Sequence, residues 1–165
     1  MTLFSLIYIS NITFELFYII KKTNIELSLS IVGAEKNYSQ IYKDIRWTFQ
    51  NNVSIYEIER NKKKLIKFYD NHNIFILPSF TEGHPMALLE ALARKRPVII
   101  FEEIKHVVGD NKGIFVSKRN SNSLIETISH IKINYKAIIK QMDQNKLPTN
   151  KNFIKEFENL ISNLH

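Results

Sequence analysis

An α/β chain built on a parallel sheet is the fold class the sequence predicts, and two observations carry it. Short apolar runs rich in bulky residues recur along the chain, at Leu3 to Ile9, Leu27 to Val32, Val53 to Tyr56, Ile74 to Leu77, Val98 to Phe101 and Gly113 to Val116. Between them lie longer stretches with helical patterning, and strands that alternate with helices make parallel units joined by crossovers. About six strands in one Rossmann-like sheet flanked by helices is the expected architecture.

In chain order, Leu3 to Ile9 is the first strand, and Thr13 to Ile20 continues as an apolar helix ending at Lys21-Lys22. This start is expected to be neither a signal peptide nor a membrane span. No basic stretch precedes it, Asn11 and Glu15 interrupt it, and no small-residue cleavage site follows. The second strand ends at Gly33, and Glu35 to Asn51 reads as a helix through Tyr38, Ile41, Tyr42, Ile45, Trp47 and Phe49. After the short third strand, Glu57 to Asp70 is a charged amphipathic helix whose apolar face is Leu65, Ile66, Phe68 and Tyr69.

The run from Ile74 to Leu77 suits a strand buried on both faces, closed by Pro78 and Ser79. Pro85 takes the first position of a helix that runs to Arg94 on Ala, Leu, Met and Glu, all strong helix formers. Its basic end, Arg94-Lys95-Arg96, complements the negative helix terminus, and Pro97 stops it. Glu102 to Asp110 is a loop or short helical turn. Ser121 to Ile133 is a helix capped near Asn120 or Ser121, Tyr135 to Gln144 continues helically, Pro148 breaks it, and Asn152 to Leu164 forms a last helix.

With 165 residues and 44% hydrophobic content, the chain is long enough for one core, so a single domain over residues 1–165 is expected. It contains no cysteine, which excludes disulfides and thiolate metal sites and fits a reducing, cytoplasmic setting. The net charge of +7, from 23 Lys and Arg against 16 Asp and Glu, favours anionic partners. Nucleoside diphosphates and lipid-linked acceptors on an anionic membrane face both qualify, the latter by peripheral contact. Taken singly, Lys21-Lys22, Lys62-Lys63-Lys64 and Arg94-Lys95-Arg96 read as solvated basic surface. No basic Gly-aromatic strand points to nucleic acid. His72, His84, His106, His130 and His165 lack metal-ligand spacing, and neither a Gly-x-Ser-x-Gly elbow nor a P-loop nor a Gly-x-Gly-x-x-Gly fingerprint occurs. No metal and no cofactor is expected.

The chemistry is expected in the loop between the fourth strand and the helix after it. In an open parallel sheet, ligands bind beyond the carboxyl ends of strands, where a helix N-terminus offers amides and a positive dipole to an anion. Glu82, Gly83 and His84 stand there, and Gly83 permits close approach of a ligand to the backbone. Glu90 follows on the helix, so that two carboxylates border one cleft. A phosphate alone does not need carboxylates; a phosphate-bearing ligand that also presents sugar hydroxyls does. Spacing alone also allows the plainer reading of Glu90 and Arg94 as an i,i+4 surface pair worth about 0.3–0.5 kcal/mol.

The run Leu77-Pro-Ser-Phe-Thr-Glu-Gly-His-Pro-Met-Ala-Leu-Leu-Glu-Ala-Leu-Ala93, followed by a basic turn and Pro97-Val-Ile, resembles the donor-binding signature of retaining glycosyltransferases of the two-domain GT-B architecture, the group 1 or family 4 type. Their Glu, seven residues, Glu motif stands here as Glu82 and Glu90. The resemblance implies that Glu82 lies at the donor hexose as the catalytic-site carboxylate, that Gly83, His84, Pro85 and Met86 present backbone to the diphosphate, and that Glu90 takes the ribose hydroxyls. Leu29-Ser-Ile-Val-Gly33 and Gly113-Ile-Phe-Val116 resemble two further family strands, so the likeness covers nearly the whole chain. It implies transfer of a hexosyl unit from a UDP- or GDP-hexose to a saccharide or lipid-linked acceptor, as in bacterial lipopolysaccharide and surface polysaccharide synthesis.

Two departures matter. The likeness is to the second, donor half of such enzymes, so the acceptor half is expected from a missing N-terminal domain or a partner chain. The family's Gly-Arg and Lys-Gly after the first strand, which clamp the diphosphate, are replaced by Tyr8-Ile-Ser-Asn-Ile-Thr-Phe-Glu-Leu-Phe17, without either base. Each such charge-assisted contact is worth roughly 1.5–3 kcal/mol. Lys105 and His106 are the nearest candidates to replace them. An inactive half that binds a partner or a membrane therefore stays open beside the enzymatic reading.

Overall fold

The computed structural model describes residues 2–6, 27–34, 53–149 and 152. The helices expected over residues 13–20 and 35–51, the stretch 8–17 that replaces the family's two bases and all but the first residue of the helix expected from 152 fall outside them. The described elements are β1 (Thr2–Leu6), β2 (Ser28–Ala34), β3 (Val53–Glu57), α1 (Lys62–Asp70), β4 (Ile74–Ile76), α2 (Met86–Ala93), β5 (Val98–Phe101), a 3-10 helix (Glu102–Val107), β6 (Ile114–Ser117) and α3 (Ser121–Met142).

All six strands form one sheet in the order β3-β2-β1-β4-β5-β6, and every neighbouring pair is parallel. The chain builds outward from β1 to one edge, then returns to the centre and builds from β4 to the other. The order therefore reverses between β1 and β4, which pair through Leu3 with Ile74, Phe4 with Phe75 and Ser5 with Ile76. A crevice opens beyond the carboxyl ends of the strands at such a reversal.

The burial of the strands follows this order. Central β4 and its neighbour β5 are buried along their whole length, as uninterrupted apolar runs covered on both faces should be. Edge strand β6 is less covered, with Val116 43% exposed. In β2, Gly33 takes φ 98 where the register against β3 shifts between Val32 and Ala34, a left-handed step that suits glycine.

Helix α1 begins later than the sequence pattern suggested. Glu57 belongs to β3, and Asn61 caps the helix by accepting from the Lys63 and Lys64 amides. Tyr69 is buried, Leu65 and Phe68 pack against the core, and Ile66, expected on the same face, is exposed. Just past the helix, His72 donates from Nδ1 to the Phe68 carbonyl (2.6 Å), while Nε2 accepts from the buried Ser30 hydroxyl (2.7 Å). This pins α1 to β2.

Helix α2 ends in a Schellman cap: the Lys95 amide donates to the Leu92 carbonyl and the Arg96 amide to that of Ala91. Lys95 adopts φ 54 at the position where glycine is usual. The basic residues there pair with carboxylates rather than with the helix end. Arg94 meets Asp70 through two 2.7 Å bonds, and Lys95 pairs with Asp143. Arg94 is therefore Asp70's partner, not Glu90's, as a surface reading of their spacing had it.

The two helical stretches expected on either side of Asn134 are one helix, α3. The Asn134 side chain donates back to the His130 carbonyl (2.9 Å) without breaking it. Leu124, Ile128, Ile131, Ile138 and Met142 form its buried stripe, each worth roughly 1.5–3 kcal/mol of burial. Asn120 caps it as expected, accepting from the Ser123 amide. Gly113, at φ 87, enters β6 against Met142, whose Sδ lies 2.5 Å from where a Cβ would stand.

Candidate functional site

The candidate site starts where β4 ends. The Leu77 amide still donates to Ile99 (2.9 Å), and Leu77 and Pro78 are buried. The chain then turns outward through Ser79, Phe80 and Thr81. Ser79 Oγ donates to Glu82 Oε1 at 2.6 Å, so that one carboxylate oxygen is fixed by the residue three before it. The Glu82 carbonyl accepts from His106 Nε2 (2.8 Å) on the 3-10 helix after β5.

Gly83 and His84 are exposed at the tip. Gly83 has open space, with nothing within 4 Å, where a side chain would begin. Pro85 is the N-cap of α2 rather than its first residue, because its ψ of 96 is extended. Its ring is buried, and its carbonyl accepts from Leu88 and Leu89. No side chain caps this end of α2. The Met86 and Ala87 amides are thus presented at the helix N-terminus, with the Met86 side chain 59% exposed beside them.

Glu90 lies one turn further along α2, exposed, with Oε2 accepting from Tyr69 Oη at 3.0 Å. The Tyr69 hydroxyl also approaches the Ala87 carbonyl at 3.4 Å, and its ring meets Phe75 edge-on. Burial, and then the charge of Glu90, push the Tyr69 phenol well above its usual pKa. It remains a hydrogen-bond donor throughout the physiological range.

Glu82 and Glu90 thus flank one helix N-terminus but share no hydrogen-bond partner. Glu82 is tied to Ser79 and to the segment after β5, and Glu90 to α1. Of the two candidate bases, His106 spends its Nε2 on the Glu82 carbonyl, and Lys105 is exposed. The residue that sequence reasoning missed is Arg119, in the turn between β6 and α3. It donates to the carbonyls of Pro78 (3.1 Å) and Ser79 (3.0 Å) and to both carboxylate oxygens of Glu103. Its guanidinium lies 3.8 Å from the ring centre of Phe80 and 4.4 Å from that of Phe101. The hydrogen bond from Arg119 holds the Glu103 carboxyl below its ordinary value.

The candidate site thus consists of a parallel sheet reversing at β1 and β4, an uncapped helix N-terminus at that reversal, a place where amides are offered to anions, and the carboxylates of Glu82 and Glu90 before and after it. The family model of glycosyl transferases group 1 matches residues 11–153. The chain belongs to that family. A search of curated proteins finds no match.

Among solved structures, sucrose-phosphate synthase of Thermosynechococcus elongatus superimposes with a TM-score of 0.74 at 15% identity, over 99% of this chain and 45% of that one. Anabaena HepE in complex with UDP gives 0.74 at 14% identity, over 98% and 48%. The catalytic domain of Helicobacter pylori cholesterol-alpha-glucosyltransferase gives 0.68 at 14% identity, over 87% and 92%. At these identities the likeness is one of fold. This family member has the α/β fold of GT-B glycosyltransferases, and it spans less than half the length of the first two. Among its described residues, no helix is long and apolar enough to cross a membrane.

Proposed function

We propose that the chain is the donor-binding domain of a retaining glycosyltransferase, holding a nucleoside diphosphate hexose for transfer to a saccharide or lipid-linked acceptor. The acceptor site comes from a second domain or a partner chain. The observation that carries this is the position of the Glu82 to Met86 loop: it meets the uncapped end of α2 at the sheet's reversal point, with Glu90 one turn below.

In this reading the amides of Gly83, Met86 and Ala87 receive the diphosphate, where the positive end of α2 steadies the charge that develops on the leaving nucleotide. Glu90 keeps Oε1 for the ribose hydroxyls, because Tyr69 occupies Oε2. Glu82, oriented by Ser79, accepts from hexose hydroxyls and sets the anomeric carbon toward the acceptor. That HepE has been seen with UDP-glucose supports a nucleotide sugar as the ligand class.

The lack of both bases after the first strand favours a second reading, an inactive half that serves a partner protein. Thermal unfolding with millimolar UDP, GDP and their hexose conjugates decides between them. A ligand at 100 times its dissociation constant stabilises by about 2.7 kcal/mol. Glu90→Gln, which preserves an acceptor for Tyr69, should weaken that response without lowering stability alone. No response to any nucleotide would leave the second reading.

A further inference from the structure

The sugar-facing carboxylate is held by a chain of contacts that ends far away in sequence, at Arg119. All three guanidinium nitrogens donate: Nε and Nη2 to the Glu103 carboxylate at 2.8 and 3.2 Å, Nη2 also to the Ser79 carbonyl, and Nη1 to the Pro78 carbonyl. It also lies against two aromatic rings, Phe80 from the loop and Phe101 from the end of β5. The side chain is 16% exposed. A guanidinium so committed is not available to clamp a diphosphate, so it does not replace the bases absent after the first strand. Its acceptors are instead main-chain carbonyls at the root of the Glu82 loop.

We infer that Arg119, seated by Glu103, is a positioning residue for Glu82. By fixing the Pro78 and Ser79 carbonyls and the Phe80 ring, it sets the backbone from which Ser79 Oγ orients the Glu82 carboxylate. The role assigned to Glu82 rests on the donor-site reading above; the brace rests on its own contacts. Glu90 lies outside this brace, being carried by α2 and Tyr69. The sugar end and the nucleoside end of the site are therefore supported separately. Lysine at 119 keeps the charge but neither the planar fork nor the stacking, so it should act like a loss.

The test compares the full chain with Arg119→Ala, Arg119→Lys and Glu103→Gln in two measurements. The first is limited chymotryptic cleavage after the exposed Phe80, with global stability followed by urea unfolding. Loss of the brace should speed that cleavage about tenfold, by more than any fall in global stability accounts for. Unchanged cleavage in Arg119→Ala, or native resistance retained in Arg119→Lys, overturns the inference. If Arg119→Ala does not fold, Arg119→Lys and Glu103→Gln carry the comparison.

The second is calorimetric binding of the bare nucleoside diphosphate and of its hexose conjugate. The conjugate should lose about tenfold to a hundredfold more affinity than the diphosphate, which keeps the Met86 and Ala87 amides of α2. Equal loss for both ligands overturns the inference, since it would place Arg119 under the whole site. If the unaltered chain binds neither ligand, the donor reading fails, and the cleavage measurement alone decides the brace.

Discussion

Tyr69 makes a claim about energy that one atom can test. Its ring is 1% exposed, and its hydroxyl donates to Glu90 Oε2 at 3.0 Å. Tyr69→Phe removes the oxygen and keeps the packing against Phe75. A hydrogen bond to a charged group is worth about 1.5–3 kcal/mol, but the exposed Glu90 carboxylate regains water when released, which puts the loss near the lower end, about 1–1.5 kcal/mol.

The pH dependence follows from the direction of the phenol's shift. Burial first, and then Glu90, raise its pKa above the usual 10. Below pH 10 both the folded and the unfolded chain hold the proton, and the stabilisation is fully present. Above it the unfolded chain releases the proton while the folded chain keeps it. The folded state then binds more protons, and stability falls by about 1.4 kcal/mol per pH unit. The phenylalanine variant lacks this loss. Urea midpoints followed by circular dichroism from pH 7 to pH 11 should show the native chain ahead at neutral pH and overtaken near pH 11. Other tyrosines titrate alike in both chains. Two curves that stay parallel to pH 11 would refute a buried, Glu90-bound phenol.

Three further outcomes are expected. Gly83→Ala finds open space and no left-handed φ, so stability should hold or rise by about 0.4–1 kcal/mol, while the nucleotide-induced shift in melting temperature is lost; a full shift would remove the loop from the ligand's path. Gly113→Ala should cost about 2–4 kcal/mol in urea unfolding, from its φ of 87 and the clash with Met142, and Met142→Ala in the same chain should recover the clash but not the strain. Burial lowers the pKa of His72 below its usual value, so the unfolded chain takes up a proton first as pH drops; stability should be present above about pH 6.5 and decline below it. An NMR titration of His72 with a midpoint above that of an unfolded histidine would contradict this.

The parallel α/β class, the strand positions and the Glu82 to Glu90 unit were legible because each has a local signature: an apolar run, a proline, a helix-forming composition. The start of α1 was not. Glu57, Glu59 and Arg60 are charged and fit a solvated helix face as well as an extended segment, and the Asn61 cap that decides the matter is a single side chain. Pro85 fits the first helical position and the cap alike, because proline fixes φ but leaves ψ open. Tyr69 was legible as an apolar face residue, whereas its hydroxyl's partner sits on another helix. Arg119 gave no signal at all: two of its acceptors are main-chain carbonyls, which every residue possesses, and its aromatic neighbours come from two separate segments. Sequence patterns report periodicity and composition; a contact across two strand ends leaves no period.

The distance between Arg119 and its acceptors along the chain, 41 residues to Pro78 and 40 to Ser79, also orders events in time. A ribosome releases the Glu82 loop, α2 and β5 well before it releases Arg119. Domains generally fold as units, and a nascent chain halted short of residue 119 lacks not only the guanidinium but also Leu124, Ile128, Ile131, Ile138 and Met142 of the core. The root of the Glu82 loop and the core that α3 completes therefore wait on the same stretch of chain.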